Sequence, residues 1–125
     1  MATLSPPEVL KRERAKAERE KLEIALEVQL RAHKISFEKQ YRFHPIRKWR
    51  ADFAMINEQR KGLMVEVQGG IYSGGRHTRG YAIEDECEKF AYAIMLHWYV
   101  MPVTAKQIAN GSAIKWICQF MGVNR

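Results

Sequence analysis

The sequence has few cysteines and no long hydrophobic run, and each shortage narrows the class of protein. Two cysteines, Cys87 and Cys118, in 125 residues do not make the disulfide framework of a small secreted domain, and with His77 and His97 they match no compact zinc-ligand spacing. No stretch of about 18 apolar residues is present, so no membrane-spanning helix is expected. The N-terminal residues contain no apolar stretch followed by a small-residue cleavage site, so no secretory signal is expected. We therefore expect a cytoplasmic protein.

The chain also has few acidic residues relative to its basic ones. The chain has 21 lysines and arginines against 14 acidic residues, which gives a net charge of +7 and a pI near 9.6. This excess favours a polyanionic partner, nucleic acid first and an anionic membrane surface second. The length suits one compact domain, and 46% hydrophobic with 28% charged residues is a globular balance.

The N-terminal residues predict a long helix with two different parts. Ser5 is a suitable helix cap, followed by prolines in the first turn and by Glu8 at the third helical position. Residues 11–23, KRERAKAEREKLE, alternate in charge and lack an apolar stripe, whereas helical spacing of apolar residues begins at Leu22. We predict a charged helical extension over residues 1–21 and a folded domain over residues 22–125.

The remaining patterns predict a mixed α/β domain. Alternating residues indicate three strands, a further amphipathic segment indicates a helix, and a short apolar strand follows it. Thr104 and Ser112 are candidate caps of closing helices. The predicted elements are strands Phe37–Phe43, Trp49–Ile56 and Leu63–Gln68, helix Tyr81–Leu96 and strand Trp98–Val103. The order α-β-β-β-α-β-α is typical of one central sheet flanked by helices.

The second and third strands predict a hairpin with two unlike faces. If Ile56 faces Gly62 across a five-residue loop, then Asp52 lies opposite Glu66 and Arg50 opposite Gln68. A one-residue slip would mix polar and apolar side chains on both faces, so the pattern supports this register. The opposite face is predicted to be wholly apolar, formed by Ala51, Phe53, Met55, Leu63, Val65 and Val67.

Two carboxylates side by side on a sheet repel each other. A divalent cation that takes oxygen ligands from both Asp52 and Glu66 compensates this repulsion, and such an ion activates water for attack on a phosphodiester. Gln68 projects from the same face and can orient that water. The alternative is a solvent-exposed face on which Arg50 shields both acids.

A glycine-rich basic segment, residues 69–80, follows the third strand. Its glycines let main-chain amides approach a phosphate, and Arg76 and Arg79 can donate to its oxygens. Tyr72 can stack on an unpaired base, and His77 is a candidate general acid or phosphate ligand, because the ordinary pKa of a histidine lies near neutrality. The alternative is an ordinary loop. Before Asp52, Arg47 and Lys48 are candidates for a second phosphate clamp, and Arg50 is a further candidate DNA contact.

Four segments in this order resemble the PD-(D/E)XK nuclease superfamily, with the restriction-endonuclease-like fold. They are 41–45 (YRFHP), 49–54 (WRADFA), 66–70 (EVQGG) and 74–80 (GGRHTRG). They are similar to a group of small phage endonucleases, which is distantly similar to very-short-patch-repair endonucleases and to phage Holliday-junction resolvases. The resemblance covers residues 23–103.

The resemblance implies roles at the matching positions. Asp52 and Glu66 are the expected ligands of Mg²⁺ or Mn²⁺, with the carbonyl of Val67 as a third. Glu23 matches an acid that such nucleases often carry on the first helix, although by its position alone it is equally a solvated edge residue.

Gln68 departs from the superfamily pattern, which usually has lysine there. A glutamine supplies no positive charge, so another cation must replace it or catalysis must proceed without one. Lys89 on the following helix is the first candidate and Arg50 the second. For Lys89 the sequence favours an i,i+4 salt pair with Asp85, which does not exclude the other role.

The functional expectation is a metal-dependent endonuclease acting on branched, mismatched or distorted DNA, in the host cytoplasm if it is phage-encoded. It needs no small-molecule cofactor and no membrane. A homodimer is expected if the chain resolves junctions, because that reaction uses two active sites. The alternatives are a DNA-binding protein that keeps the fold without catalysis and a structural protein whose charged helix docks on a partner.

Overall fold

The computed structural model describes residues 4–68 and 79–123 and shows an α/β arrangement with helices on both sides of one sheet. This confirms the coarse prediction, although the chain closes with two helices where the predicted order has one. The elements are α1 Pro6–Ala32, β1 Glu38–Arg42, β2 Arg50–Ile56, β3 Gly62–Gln68, α2 Arg79–Met95, β4 Trp98–Thr104, α3 Ala105–Ala109 and α4 Ser112–Met121.

The sheet has four strands in the order β1-β2-β3-β4. The first three form an antiparallel meander, and β4 runs parallel to β3. A parallel pair needs a crossover connection, and α2 lies in the connection between β3 and β4. The polar ends of β2 and β3 therefore lie between helices on either face of the sheet.

Each face of the sheet has its own apolar cluster. Side chains alternate along a strand, so Val65 joins the cluster on one face and Met64 the cluster on the other. The first cluster includes buried residues of α1, α3 and α4, whereas α2 contributes Ala93 to the second. Neighbouring residues of β3 thus reach opposite layers of helices.

Local capping explains where α1 and α3 begin. Ser5 caps α1 in a capping box with Glu8, and Thr104 caps α3 in a box with Gln107, both as predicted from sequence. The cap predicted at Ser112 is wrong: Gly111, at φ +84°, is the N-cap of α4, with no side-chain hydrogen bond. Glycine reaches this left-handed backbone conformation without a Cβ clash.

The alternation predicted for the first strand is interrupted at Gln40. Its backbone has φ +51°, and the pairs with β2 run through Lys39–Phe53 and resume at Tyr41–Ala51. Phe37 consequently packs against the first cluster, while Tyr41 packs against the second. Ala51 also belongs to the second cluster. The prediction that it shares an apolar face with Phe53 is therefore wrong.

No helix in residues 4–68 and 79–123 is long and apolar enough to cross a bilayer. α1 is the longest at 27 residues, and its first sixteen residues are all exposed.

Candidate active site

The candidate site lies at the open end of the β2–β3 hairpin. The ladder runs from Ile56–Gly62 to Phe53–Val65, which is the predicted register over the inner hairpin. Beyond it, the two acids bridge the strands through their side chains. The Asp52 amide donates to Glu66 Oε2 at 3.2 Å, and the Val67 amide donates to Asp52 Oδ2 at 2.8 Å.

Side-chain bridging replaces the predicted continuation of the ladder. Each carboxylate accepts a hydrogen bond from the opposite strand, so the acids are adjacent, while the ladder stops at Phe53–Val65, before the predicted Asp52–Glu66 and Arg50–Gln68 pairs. A charged acceptor strengthens a hydrogen bond to an amide. The two carboxylates therefore connect the strands at the open end of the hairpin in addition to forming the candidate site.

Lys89 on α2 supplies a positive charge to this site. Its Nζ lies 2.6 Å from Glu66 Oε1, and the two side chains are 16% and 4% exposed. The salt pair favoured from sequence, with Asp85, is not among the ion pairs of the described residues. Ala93, one helical turn after Lys89, packs in the same cluster as Met64, so Lys89 lies on the face of α2 that meets the sheet and reaches Glu66 there.

The pKa of Glu66 is raised to about 7. Burial is the main cause, because a low-dielectric surrounding disfavours the charged form. The ammonium of Lys89 lowers the pKa, and the negative charge of Asp52 raises it. Glu66 therefore changes its ionisation near neutral pH.

Glu23 on α1 reaches the same site from the other face of the sheet. It is 8% exposed and accepts a hydrogen bond from Gln40 Nε2 at 3.3 Å. Burial and the charge of Asp52 raise its pKa, while Lys39 lowers it. The acid on the first helix is therefore part of the site and not a solvated edge residue.

Two further residues contribute that the sequence prediction missed. Gln40 holds Glu23, and Glu86 on α2 accepts a hydrogen bond from Gln68 Nε2 at 3.1 Å. Gln40 resembles any exposed strand residue in the sequence. For Glu86 a weak signal existed, since it precedes Lys89 by three residues and shares its helix face.

The donor atoms at the site suit a hard divalent cation. Asp52, Glu66 and the carbonyl of Val67 offer only oxygen, which Mg²⁺ prefers. Within residues 4–68 and 79–123, however, no three His, Cys, Asp or Glu side chains form a group of the kind that holds a metal ion. In the structure the negative charge of Glu66 is balanced by Lys89, and Arg50, the alternative shield, is exposed.

The predicted DNA-contacting residues lie at two places. Arg47 stacks over Trp49, with its guanidinium carbon 3.7 Å from the ring centre, and pairs with Glu88 at 3.2 Å. Lys48 is exposed. Arg79 is the first residue of α2. Three predicted contacts lie outside the described residues, namely Tyr72, Arg76 and His77.

His44 organises the segment that carries Arg47. Its Nδ1 accepts hydrogen bonds from the amides of Ile46 and Arg47, at 3.1 and 2.9 Å. Its ring also contacts the rings of Trp49 and Tyr92 edge-on, at 5.6 and 5.5 Å. The segment that carries Arg47 is therefore held against α2.

No protein-family model, curated protein or solved structure matches the chain. Function is therefore inferred from the chemistry of the site and from the motif resemblance.

Proposed function

We propose that the chain is a metal-dependent DNA endonuclease with the restriction-endonuclease-like fold. It hydrolyses phosphodiester bonds, and its substrates are branched, mismatched or distorted DNA. The observation that carries the proposal is the convergence of Asp52 and Glu66 at the end of the hairpin, with Glu23 beside them and Lys89 above. The element order α-β-β-β-α-β around a mixed sheet supports the finer fold assignment.

In this proposal Asp52, Glu66 and the Val67 carbonyl hold Mg²⁺ or Mn²⁺. When bound, the ion activates a water and neutralises charge on the phosphoryl oxygens. The protein's own contribution is to hold the acids in place. The amides of Asp52 and Val67 fix one oxygen of each carboxylate.

Lys89 supplies the positive charge of the motif lysine, whose position is occupied by Gln68 in this chain. An ammonium 2.6 Å from Glu66 is a positive charge at the site that can stabilise the developing negative charge of the transition state. Gln68, bonded to Glu86, positions the attacking water. Glu23 carries a third carboxyl, whose charge interacts with that of Asp52, and adds to the negative charge available for a cation.

A DNA-binding protein without catalysis is the second candidate. It is favoured by the lysine already bonded to Glu66 Oε1, where a cation would compete for that oxygen, and by Gln68 at the motif position. Such a protein binds the same DNA substrates and leaves them uncut.

A cleavage panel tests the proposal. Four-way junction, mismatched duplex, flap, plain duplex and single strand are incubated with Mg²⁺, Mn²⁺ or EDTA. We expect metal-dependent cutting that Asp52→Asn lowers at least a thousandfold, roughly 4 kcal/mol of transition-state stabilisation. The substitution keeps an oxygen acceptor for the Val67 amide, so the melting temperature should change little.

Asp85→Asn is the matched control, because it removes the same charge from an exposed position on α2. Cutting that survives Asp52→Asn, or that continues in EDTA, would refute the mechanism. Binding without cutting by the wild type would favour the second candidate. Light scattering of the wild type with and without a junction tests the expected homodimer.

A further inference from the structure

The exposed half of α1 carries a row of cations that leads to the candidate active site. Arg12, Lys16 and Arg19 follow one another at spacings of four and three residues, and Glu23 comes four residues later. At 3.6 residues per turn these four side chains lie on one face of the helix. All three cations are exposed.

The row continues the face by which α1 packs on the domain. Glu23, Leu26 and Leu30 are the buried residues of this helix, and they share the face of the three cations. Upstream of Glu23 the helix extends beyond the sheet. There the same face carries cations in place of the apolar side chains that it carries within the domain. The exposed segment from Pro6 to Lys21 is about 24 Å long.

Glu8 precedes Arg12 by four residues and lies on the face of the row, where its carboxylate is bonded in the capping box. The other acids of the extension, Glu13, Glu18 and Glu20, are rotated from the row by about 70° or more. The remaining cations of the extension occupy the opposite side and are also exposed; they are Lys11, Arg14 and Lys21. The row face thus carries three cations and one capping acid, and it is the face aligned with the site.

We propose that Arg12, Lys16 and Arg19 bind the sugar-phosphate backbone of DNA and align it with the carboxylates at Glu23, Asp52 and Glu66. The row spans about 10 Å of helix, which matches about three phosphates of one strand at 3.4 Å each. DNA is the expected occupant because its phosphates complement the three cations and because the row leads to the candidate active site. This inference rests on the proposed function, because it assumes that DNA enters this site.

Two triple variants with equal charge test the row. Arg12→Gln/Lys16→Gln/Arg19→Gln and Lys11→Gln/Arg14→Gln/Lys21→Gln each remove three cations from the same helix and lower the net charge from +7 by the same amount. Glutamine has nearly the helix propensity of lysine and arginine. Circular dichroism confirms that both variants keep the helix.

Binding of a labelled four-way junction and a plain duplex is measured by fluorescence anisotropy in EDTA over a range of salt concentrations. We expect the row variant to bind at least about tenfold more weakly and its salt dependence to fall by about two to three in slope, since each lost phosphate contact removes roughly 0.9. The opposite-face variant should lose less than about threefold. Equal losses in both variants, or none in the row variant, would overturn the proposal.

Cleavage separates this inference from the proposed function. At subsaturating protein the row variant should cut more slowly than the wild type, in line with its lost affinity, whereas the opposite-face variant should cut at nearly the wild-type rate. If the wild type binds but never cuts, the nuclease proposal fails while the row is still tested by affinity. If the wild type cuts and the row variant binds normally, only the row is wrong. Row-dependent binding to phosphatidylserine vesicles, without row-dependent DNA binding, would overturn it in favour of a membrane surface.

Discussion

The two ends of the β2–β3 hairpin solve the same structural problem with different chemistry. At the turn, the Asn57 amide donates to the Lys61 carbonyl, and Asn57 Oδ1 accepts from the Lys61 amide, both at 2.9 Å. Asn57 Nδ2 also donates to the Phe120 carbonyl at 3.2 Å. At the open end, about 17 Å away along the strand, the strands are bridged by the carboxylates of Asp52 and Glu66.

Neutral amides close the turn at little electrostatic cost, whereas the open end keeps a carboxyl that is 3% exposed. Burying an ionised group is unfavourable unless it is paired. A hairpin selected only for stability would end with neutral groups at both ends. The difference agrees with the function proposed for the open end, and stability measurements can test the electrostatic contrast between the two ends.

Lys89→Met should give the largest change in stability. It removes the ammonium from Glu66, and breaking a buried pair commonly costs about 3 kcal/mol, because one charge is left without a partner. We expect a loss of about 2 to 4 kcal/mol in the free energy of unfolding at pH 8 without divalent metal, and a much smaller loss at pH 5. Urea unfolding followed by tryptophan fluorescence measures both.

The pH dependence follows from the raised pKa of Glu66. Because its folded value is about 7 against an ordinary 4.5, the folded protein binds more protons than the unfolded chain between these values. The contribution of Glu66 to stability therefore falls as pH rises from 4.5 to 7 and is level above that. In Lys89→Met the pKa of Glu66 rises further, so the decline extends to higher pH.

The double variant Glu66→Gln/Lys89→Met is the control, since it removes both charges together. It should recover much of the lost stability and abolish the pH dependence assigned to Glu66. A loss from Lys89→Met that is equal at pH 5 and pH 8 would show that Lys89 acts through packing and not through charge.

The inner hairpin could be predicted from sequence because its information is local. Alternating polarity fixes the register of Phe53, Val65 and their neighbours, and a one-residue slip would expose the core. The adjacency of Asp52 and Glu66 follows from that register. The predicted strand and helix limits differ from the observed ones by up to two residues, as expected where capping and pairing decide the ends.

What could not be predicted depends on contacts between elements distant in sequence. The interruption of β1 at Gln40 depends on a left-handed backbone conformation, which the residue type does not predict. The partner of Lys89 depends on which face of α2 meets the sheet, and the i,i+4 rule considers only its own helix. The i,i+4 rule predicted Asp85 as the partner of Lys89, whereas the packing of α2 on the sheet makes Glu66 its partner.

Gly62→Ala should give the next largest loss and tests the turn end of the hairpin. A Cβ at Gly62 would lie 2.6 Å from Trp98 Cζ3 and 2.7 Å from Cε3, because the indole covers this glycine from the neighbouring strand. We expect a loss of about 1 to 3 kcal/mol, as for other overpacked sites, in urea unfolding. DNA cleavage below the melting temperature should be unchanged.

Trp98→Leu provides the matched rescue for this glycine. If the indole is the obstacle, Gly62→Ala should cost less in the Trp98→Leu background than in the wild type, and the two substitutions will not be additive. Additive losses would mean that the backbone of Gly62, and not the space above it, sets the requirement for glycine.

Asn57→Ala should give the smallest loss and the clearest contrast with the open end. It removes the side-chain bonds to the Lys61 amide and the Phe120 carbonyl, at an expected cost of about 1 to 2 kcal/mol. Asn57→Asp keeps an acceptor for Lys61 but places a carboxylate against a carbonyl, so it should destabilise more at pH 8 than at pH 3. Neither change should affect cleavage, because the turn lies far from the acids. A loss of cleavage in Asn57→Ala at unchanged stability would show that the two ends are coupled through the strands, and the open end could not then be treated as a separate functional unit.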